Sequence, residues 1–183
     1  MFSSRTNWHR EHNRLSQLLE SRRASGKPVY DLTVSNPTEC NFTYPQQELL
    51  TALSNTKALY YQPHPRGLFS ARKAVAEYYS FKGKTVDPEN IFLTASTSEA
   101  YSLIFKLLCN AGENVLVPQP SYPLFEYLAQ INDVSLQPYY IVYDHGWHID
   151  IESVKNAITP STKAIVIVHP HNPTGTFLKN EEY

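Results

Sequence analysis

Three short polar clusters hold the side chains with which this chain could do chemistry. Ser96, Thr97 and Ser98 stand in TASTSEAYS, Tyr122 stands between prolines in VPQPSYPLF, and Asn172 stands in VHPHNPTG. Hydroxyls and free N–H groups at the start of a helix can hold a phosphate. A fixed tyrosine ring can stack on a planar heterocycle. A primary amide can donate to a phenolate-type oxygen. Each cluster also has a purely structural account. Ser96 and Glu99 have the spacing of a capping box, which needs no ligand. Tyr122 can simply pack over its proline-rich turn. Pro173 keeps Asn172 out of helix, and Asn-Pro-Thr-Gly suits a type I turn. His169 and His171 flank that turn, but two histidines without a nearby acidic partner are a thin ligand set, so no metal is expected.

The elements that must position these clusters alternate along the chain. A first helix is expected over about Thr6 to Ala24, closed by Gly26, then a short strand over Val29 to Val34. A helix from Gln46 to Ser54 follows, and FSARKAVAEYYSF has helical spacing that puts Phe69, Val75, Ala76 and Tyr79 on one face. Beyond it come IFLT (strand), SEAYSLIFKLL (helix), NVLVP (strand), PLFEYLAQI (helix), VSLQPYYIV (strand), DIESVKNAI (helix capped by Asp150) and KAIVIV (strand). This order predicts an α/β fold with a mostly parallel sheet and crossover helices. The near-continuous apolar strands agree, since such sheets are covered on both faces. Ligands of open α/β sheets sit beyond the carboxyl ends of strands, and all three clusters fall there. One planar, phosphorylated, phenolic heterocycle would engage all three, and pyridoxal 5′-phosphate has each of those features.

Composition narrows the classes. With 42% hydrophobic and 18% charged residues and a net charge of −1, the chain reads as globular, with nothing pulling it toward nucleic acid or an anionic membrane. Its two cysteines, Cys40 and Cys109, form no Cys-x-x-Cys pair, and Cys109 reads as a small core residue. The start of the chain is polar, unlike a signal peptide, and no apolar run is long enough to span a bilayer. A cytoplasmic protein is expected. A nicotinamide-binding unit is disfavoured because Gly-x-Gly-x-x-Gly does not occur.

From about Asp31 onward the sequence resembles the class I/II aminotransferases, fold type I pyridoxal-phosphate enzymes. HNPTG after an apolar strand is the most specific element. YYQPHPRGLFSARKAVAEYY, the Ser-Thr-Ser-Glu-Ala helix start and Pro-Ser-Tyr-Pro support it in order and spacing. The resemblance implies that Ser96, Thr97 and Ser98 hold the cofactor phosphate, that Tyr122 stacks on the pyridine ring and that Asn172 bonds its 3′ oxygen. It implies a homodimer in which Tyr61 reaches the phosphate of the neighbouring subunit's cofactor. Asn36, in SNPTE, would lie in a loop near the substrate. There are two departures: Asn36-Pro37 replaces a commoner acidic-Pro pair, and Ser96 stands where many relatives carry glycine. The implied architecture is an incomplete aminotransferase large domain over residues 45–183, with residues 1–44 belonging to a small domain. The implied reaction moves an amino group between an amino acid and a 2-oxo acid. In that family the acidic partner of the pyridine nitrogen, the Schiff-base lysine and the substrate-binding arginine come further along. Lys73 and Lys106 fall within helices and Lys163 opens a strand, so all three read as surface. The expectation is therefore an N-terminal portion that does not transaminate alone. Two rivals stay open: a lyase or synthase of the same fold, and an aminotransferase-like regulatory ligand-binding domain. The latter would need a DNA-binding helix-turn-helix, and only about 30 residues precede Asp31.

Overall fold

The computed structural model describes residues 2–8 and 13–182. Contacts divide the chain into two units, Met1–Trp8 with Thr94–Tyr183, and His9–Leu93.

In the His9–Leu93 unit, helix α1 covers Arg14–Ala24. It starts later than the predicted Thr6 because Asn13 caps it, accepting from the Ser16 N–H at 2.8 Å. Residues 9–12 of that prediction lie outside the described residues. Gly26 ends the helix as expected: at φ +68° it donates to the Arg23 carbonyl, and Lys27 donates to that of Arg22. Residues 29–34 form no strand, and residues 91–94 form none either. Both have strand-like composition, but a strand exists only with a partner, and the described backbone bonds give 91–94 no ladder: Ile91 N–H closes a local turn on the Pro88 carbonyl at 3.2 Å and Leu93 N–H bonds the Arg66 carbonyl at 3.0 Å.

Helices α2 (Gln46–Leu53) and α3 (Phe69–Phe81) lie where their periodicity put them. The buried face of α3 differs from expectation. Arg72 and Ala76 are buried, whereas Phe69 and Tyr79 stay 55% and 45% exposed. Arg72 tolerates burial because its guanidinium donates to the carbonyls of Gly67 and Pro88, pairs with Glu89 at 3.3 Å and lies over the Phe69 ring. Gly67 has φ +87°, and a Cβ there would stand 2.8 Å from that of Leu93. Gly67→Ala is expected to destabilise this unit by about 2–3 kcal/mol, from left-handed backbone strain plus overpacking; urea unfolding would measure it.

The Thr94–Tyr183 segment builds the sheet. Strand β1 (Asn114–Gln119) is buried through Pro118. Strand β2 (Ser135–Tyr143) runs parallel to it, with Asn114 opposite Ser135 and Gln119 opposite Tyr140. Helix α5 (Leu124–Ile131) makes the crossover between them. Strand β3 (Trp147–Ile149) returns antiparallel to β2, helix α6 (Ile151–Ala157) follows its Asp150 cap, and β4 (Thr162–Ile165) lies parallel on the other side of β1. The order is β3-β2-β1-β4. KAIVIV leaves the ladder early: Val166 N–H still bonds the Leu116 carbonyl at 2.8 Å, beyond the last paired residue of β4.

Alternate residues of β1 face opposite sides. Val115 and Val117 join Phe105, Phe125, Ala129 and Val134 in one core cluster, with Phe105 supplied by helix α4 (Thr97–Leu108). Leu116 joins Tyr139 and Ile141 in the other. Cys109 packs partly buried against the first cluster, and burial pushes its thiol pKa up, as suits an inert core thiol. The Tyr139 hydroxyl donates to the Val166 carbonyl at 2.9 Å, and burial pushes its pKa up to about 12. A phenol whose pKa is raised on folding stabilises fully below its ordinary value of 10.0 and loses that contribution as pH rises toward 12. Tyr139→Phe is therefore expected to flatten the alkaline limb of a stability–pH curve. At neutral pH it should cost about 1–2 kcal/mol, because the Val166 carbonyl loses its donor.

The first residues close onto this unit. Arg5 holds Asp133 through two nitrogens at 2.6–2.9 Å, and its hydrogen bonds keep that carboxyl below its ordinary pKa. The Trp8 ring stands edge-on to Tyr127 at 5.0 Å, and its Nε1 donates to Gln130. Among the described residues no helix is long and apolar enough to cross a membrane, and no group of three side chains could hold a metal.

Candidate functional site

Helix α4 begins as its capping box dictates. Ser96 Oγ accepts from the Glu99 N–H at 3.2 Å, and Glu99 reaches back to the Ala95 N–H at 2.6 Å. The Ser96 hydroxyl is thus engaged in the cap. Thr97 and Ser98 follow, and no described residue accepts from their N–H groups. Two donors at the positive end of a twelve-residue helix are what a phosphate needs.

Tyr122 lies in the turn between β1 and α5 and stands edge-on to Phe125, with centroids 5.9 Å apart. Tyr101, one turn into α4, meets the same Phe125 ring from another side at 4.8 Å. Val166 and Val168, which lead from β4 toward Asn172, pack on that cluster as well. The start of α4, the turn after β1 and the approach to the Asn172 turn therefore share one hydrophobic support. Tyr101 and Phe125 make this junction. Sequence reasoning missed them because an aromatic residue in an amphipathic helix carries no mark of what it touches.

The Asn172 turn is not the expected type I turn. The Gly175 N–H bonds the carbonyl of His171 at 2.6 Å, and the His171 N–H bonds that of Thr176 at 2.8 Å. Buried His171 anchors the loop on both sides, so closure falls one residue wider than Asn172–Gly175. Its Nδ1 lies 2.8 Å from Thr174 Oγ1. Burial lowers the imidazole pKa, while the Pro120 carbonyl facing the ring works in the other direction. Asn172 itself is exposed, and no described residue bonds its amide. His169 Nδ1 accepts from the Leu178 N–H at 2.9 Å.

A cleft of about 700 Å³ between α5 and the sheet is lined by Tyr122 but by neither Ser98 nor Asn172. Volume alone therefore does not mark the site. Asn36 and Tyr61 belong to the His9–Leu93 unit. The Asn36 amide is engaged within its own loop, accepting from Thr38 and donating to Glu39 at 3.1 Å. Tyr61 is 90% exposed. Lys73 pairs with Glu77 at 3.7 Å and Lys163 with Glu113 at 3.0 Å, while Lys106 lies exposed on α4.

A mixed α/β sheet, parallel except for β3 and built with crossover helices, defines a class. The chain belongs to the family "Aminotransferase class I and II", which it matches over residues 27–183. It is 33% identical, over 85% of its length, to the glutamate-pyruvate aminotransferase AlaA of Haemophilus influenzae. Among solved structures it resembles alanine aminotransferase from Pyrococcus furiosus (TM-score 0.75, 29% identity, 88% of this chain and 42% of that one). It also resembles a single mutant of Thermus thermophilus aspartate aminotransferase (TM-score 0.80, 25% identity, all of this chain and 48% of that one). The chain spans 39% of the length of the Haemophilus relative. Its architecture is that of an incomplete α/β aminotransferase fold. The family's cofactor is pyridoxal 5′-phosphate.

Proposed function

We propose that the whole protein is a pyridoxal-phosphate-dependent aminotransferase, exchanging an amino group between an amino acid and a 2-oxo acid. The observation that carries this is the shared Phe125 support beneath the α4 start, the Tyr122 turn and the approach to Asn172. The unpaired N–H groups of Thr97 and Ser98 fit the phosphate, and their hydroxyls add donors. The Tyr122 ring supplies a plate for the pyridine, and the free Asn172 amide a donor for the 3′ oxygen. Ser96 contributes by capping the helix whose dipole faces the phosphate. The bound cofactor supplies an electron sink for the pair released at the substrate's α-carbon. This chain's residues bind and orient it; the groups that shuttle the α-proton and grip the substrate carboxylate are assigned to the remainder of the longer protein.

In the same reading, residues 1–44 belong to a small domain and residues 45–183 form the first part of the cofactor-binding domain. The protein acts as a cytoplasmic homodimer, in which Tyr61 reaches the neighbouring subunit's cofactor phosphate and Asn36 lies in the substrate loop. The exposure of Tyr61, Leu59 and Leu53 supports a partner surface in that region. The test is to incubate the whole protein and pyridoxal phosphate with amino acids, with and without 2-oxo acids. Oxo-acid-dependent appearance of a new amino acid is expected. Product formation that ignores the oxo acid would move the assignment to a lyase.

A further inference from the structure

We propose that residues 2–8 form a detachable strap, keyed by Arg5 to Asp133 at the end of α5, whose docking steadies α5 and through it the Tyr122 turn. The link to Tyr122 deepens the cofactor reading above and rests on it; the strap itself does not. Helix α5 has eight residues, and a helix that short depends on what packs against it. Phe125 and Ala129 are its buried face. The strap takes the side away from them: the Trp8 ring stands edge-on to Tyr127 at 5.0 Å, and Trp8 Nε1 donates to Gln130 Oε1. At the other end of the helix the Phe125 N–H bonds the Tyr122 carbonyl at 3.1 Å, and the two rings meet edge-on. Helix α5 thus starts on the turn that carries Tyr122. Arg5 and Trp8 touch no ligand in this scheme; they are positioning residues that act through α5.

Asp133 is the mark of a built seat. It stands just past α5 at φ +55°, a left-handed position where glycine or asparagine is the usual residue. A negative charge there also faces the negative pole of the helix. The turn does not use the carboxylate. Main-chain bonds close it, from the Asp133 N–H to the Gln130 carbonyl at 3.2 Å and from the Val134 N–H to the Ala129 carbonyl at 3.0 Å. Among the described residues the carboxylate's hydrogen-bond partner is Arg5, held through Nε and Nη2 at 2.6–2.9 Å. A side chain unfavourable to its own helix and engaged by the strap is explained by the strap. The grip is also releasable. The two side chains remain 52% and 40% exposed, so water and salt weaken the pair. The other holds described are the Trp8 ring contact and its hydrogen bond.

The test compares the whole unaltered protein with Asp133→Asn, Arg5→Gln and Arg5→Lys. It reads tryptic cleavage after Arg5, amide hydrogen exchange by mass spectrometry, and pyridoxal 5′-phosphate binding by fluorescence quenching. Asp133→Asn suits the left-handed backbone and loses the charge. It is expected to speed cleavage after Arg5 about tenfold, because trypsin must take the guanidinium that the carboxylate holds. Arg5→Gln is expected to raise exchange at the bonded amides of Asp133 and Val134 about tenfold while Val115–Val117 of β1 stay protected, and to weaken cofactor binding severalfold. Arg5→Lys keeps the charge without the fork and should fall between. Salt at about 1 M, where screening acts within about 3 Å, should reproduce the Arg5→Gln exchange pattern in the unaltered protein and add nothing in that variant. Equal cleavage after Arg5 with and without the Asp133 charge, or exchange at Asp133 and Val134 indifferent to Arg5→Gln and to salt, would overturn the strap. Faster exchange with unchanged cofactor binding would overturn its link to the Tyr122 turn. Failure of the unaltered protein to take up the cofactor, with cleavage and exchange as expected, would overturn the cofactor reading and leave the strap standing.

Discussion

Phe105→Ala is expected to cost about 3–5 kcal/mol, a large share of the roughly 5–15 kcal/mol by which ordinary domains are stable. Phe105 is 2% exposed and is the sole residue of α4 that reaches full burial in the cluster formed with Val115, Val117 and Phe125. Truncation removes a large apolar area and leaves a void that β1, pinned between β2 and β4, cannot collapse to fill. Phe105→Leu keeps most of the volume and should cost less than half as much. Thermal or urea unfolding followed by circular dichroism decides it; a loss below about 1 kcal/mol for the alanine variant would mean that α4 is not anchored through this ring.

Ser98→Asp is expected to weaken pyridoxal phosphate binding about 100-fold or more, while leaving stability unchanged or slightly higher. The two effects have opposite signs for one reason. A carboxylate in the first turn of α4 is favourable toward the helix dipole, worth roughly 0.3–1 kcal/mol. The same carboxylate beside the Thr97 and Ser98 N–H groups takes the place of a phosphate dianion and repels it. Losing a charge-assisted bond and adding a like charge together amount to about 3 kcal/mol, hence the factor. Cofactor titration alongside thermal unfolding separates binding from folding. If binding is unaffected in a stable variant, the phosphate does not sit at this helix start.

Much of the fold was legible because its signals are local. The Ser96–Glu99 and Asp150 caps, the Gly26 stop and the apolar run of β1 each lie within a few residues of what they determine. What escaped was pairing. Val29–Val34 and Ile91–Thr94 have the composition of strands and pair with no strand among the described residues, while the three residues of β3 are too few for any period to show. Arg72 was invisible as a core residue, because its burial depends on carbonyls of Gly67 and Pro88 brought in by the chain's path. The site divides in the same way. The residue types of Ser98, Tyr122 and Asn172 and their places after apolar runs were readable. The packing of Tyr101, Tyr122, Val166 and Val168 on the one core cluster that holds Phe125 was not, and neither was His171 as the anchor of its turn. Those depend on contacts between segments tens of residues apart.

The grip of Arg5 on Asp133 spans 128 residues of chain. During synthesis at roughly 5–20 residues per second, the arginine is added about 6–26 s before its carboxylate partner. Throughout that interval the Arg5–Trp8 stretch must wait, tethered to the intervening His9–Leu93 segment, for a helix not yet translated. Folding of this stretch therefore cannot follow residue order strictly: Arg5 finds its place only after Asp133 has been made.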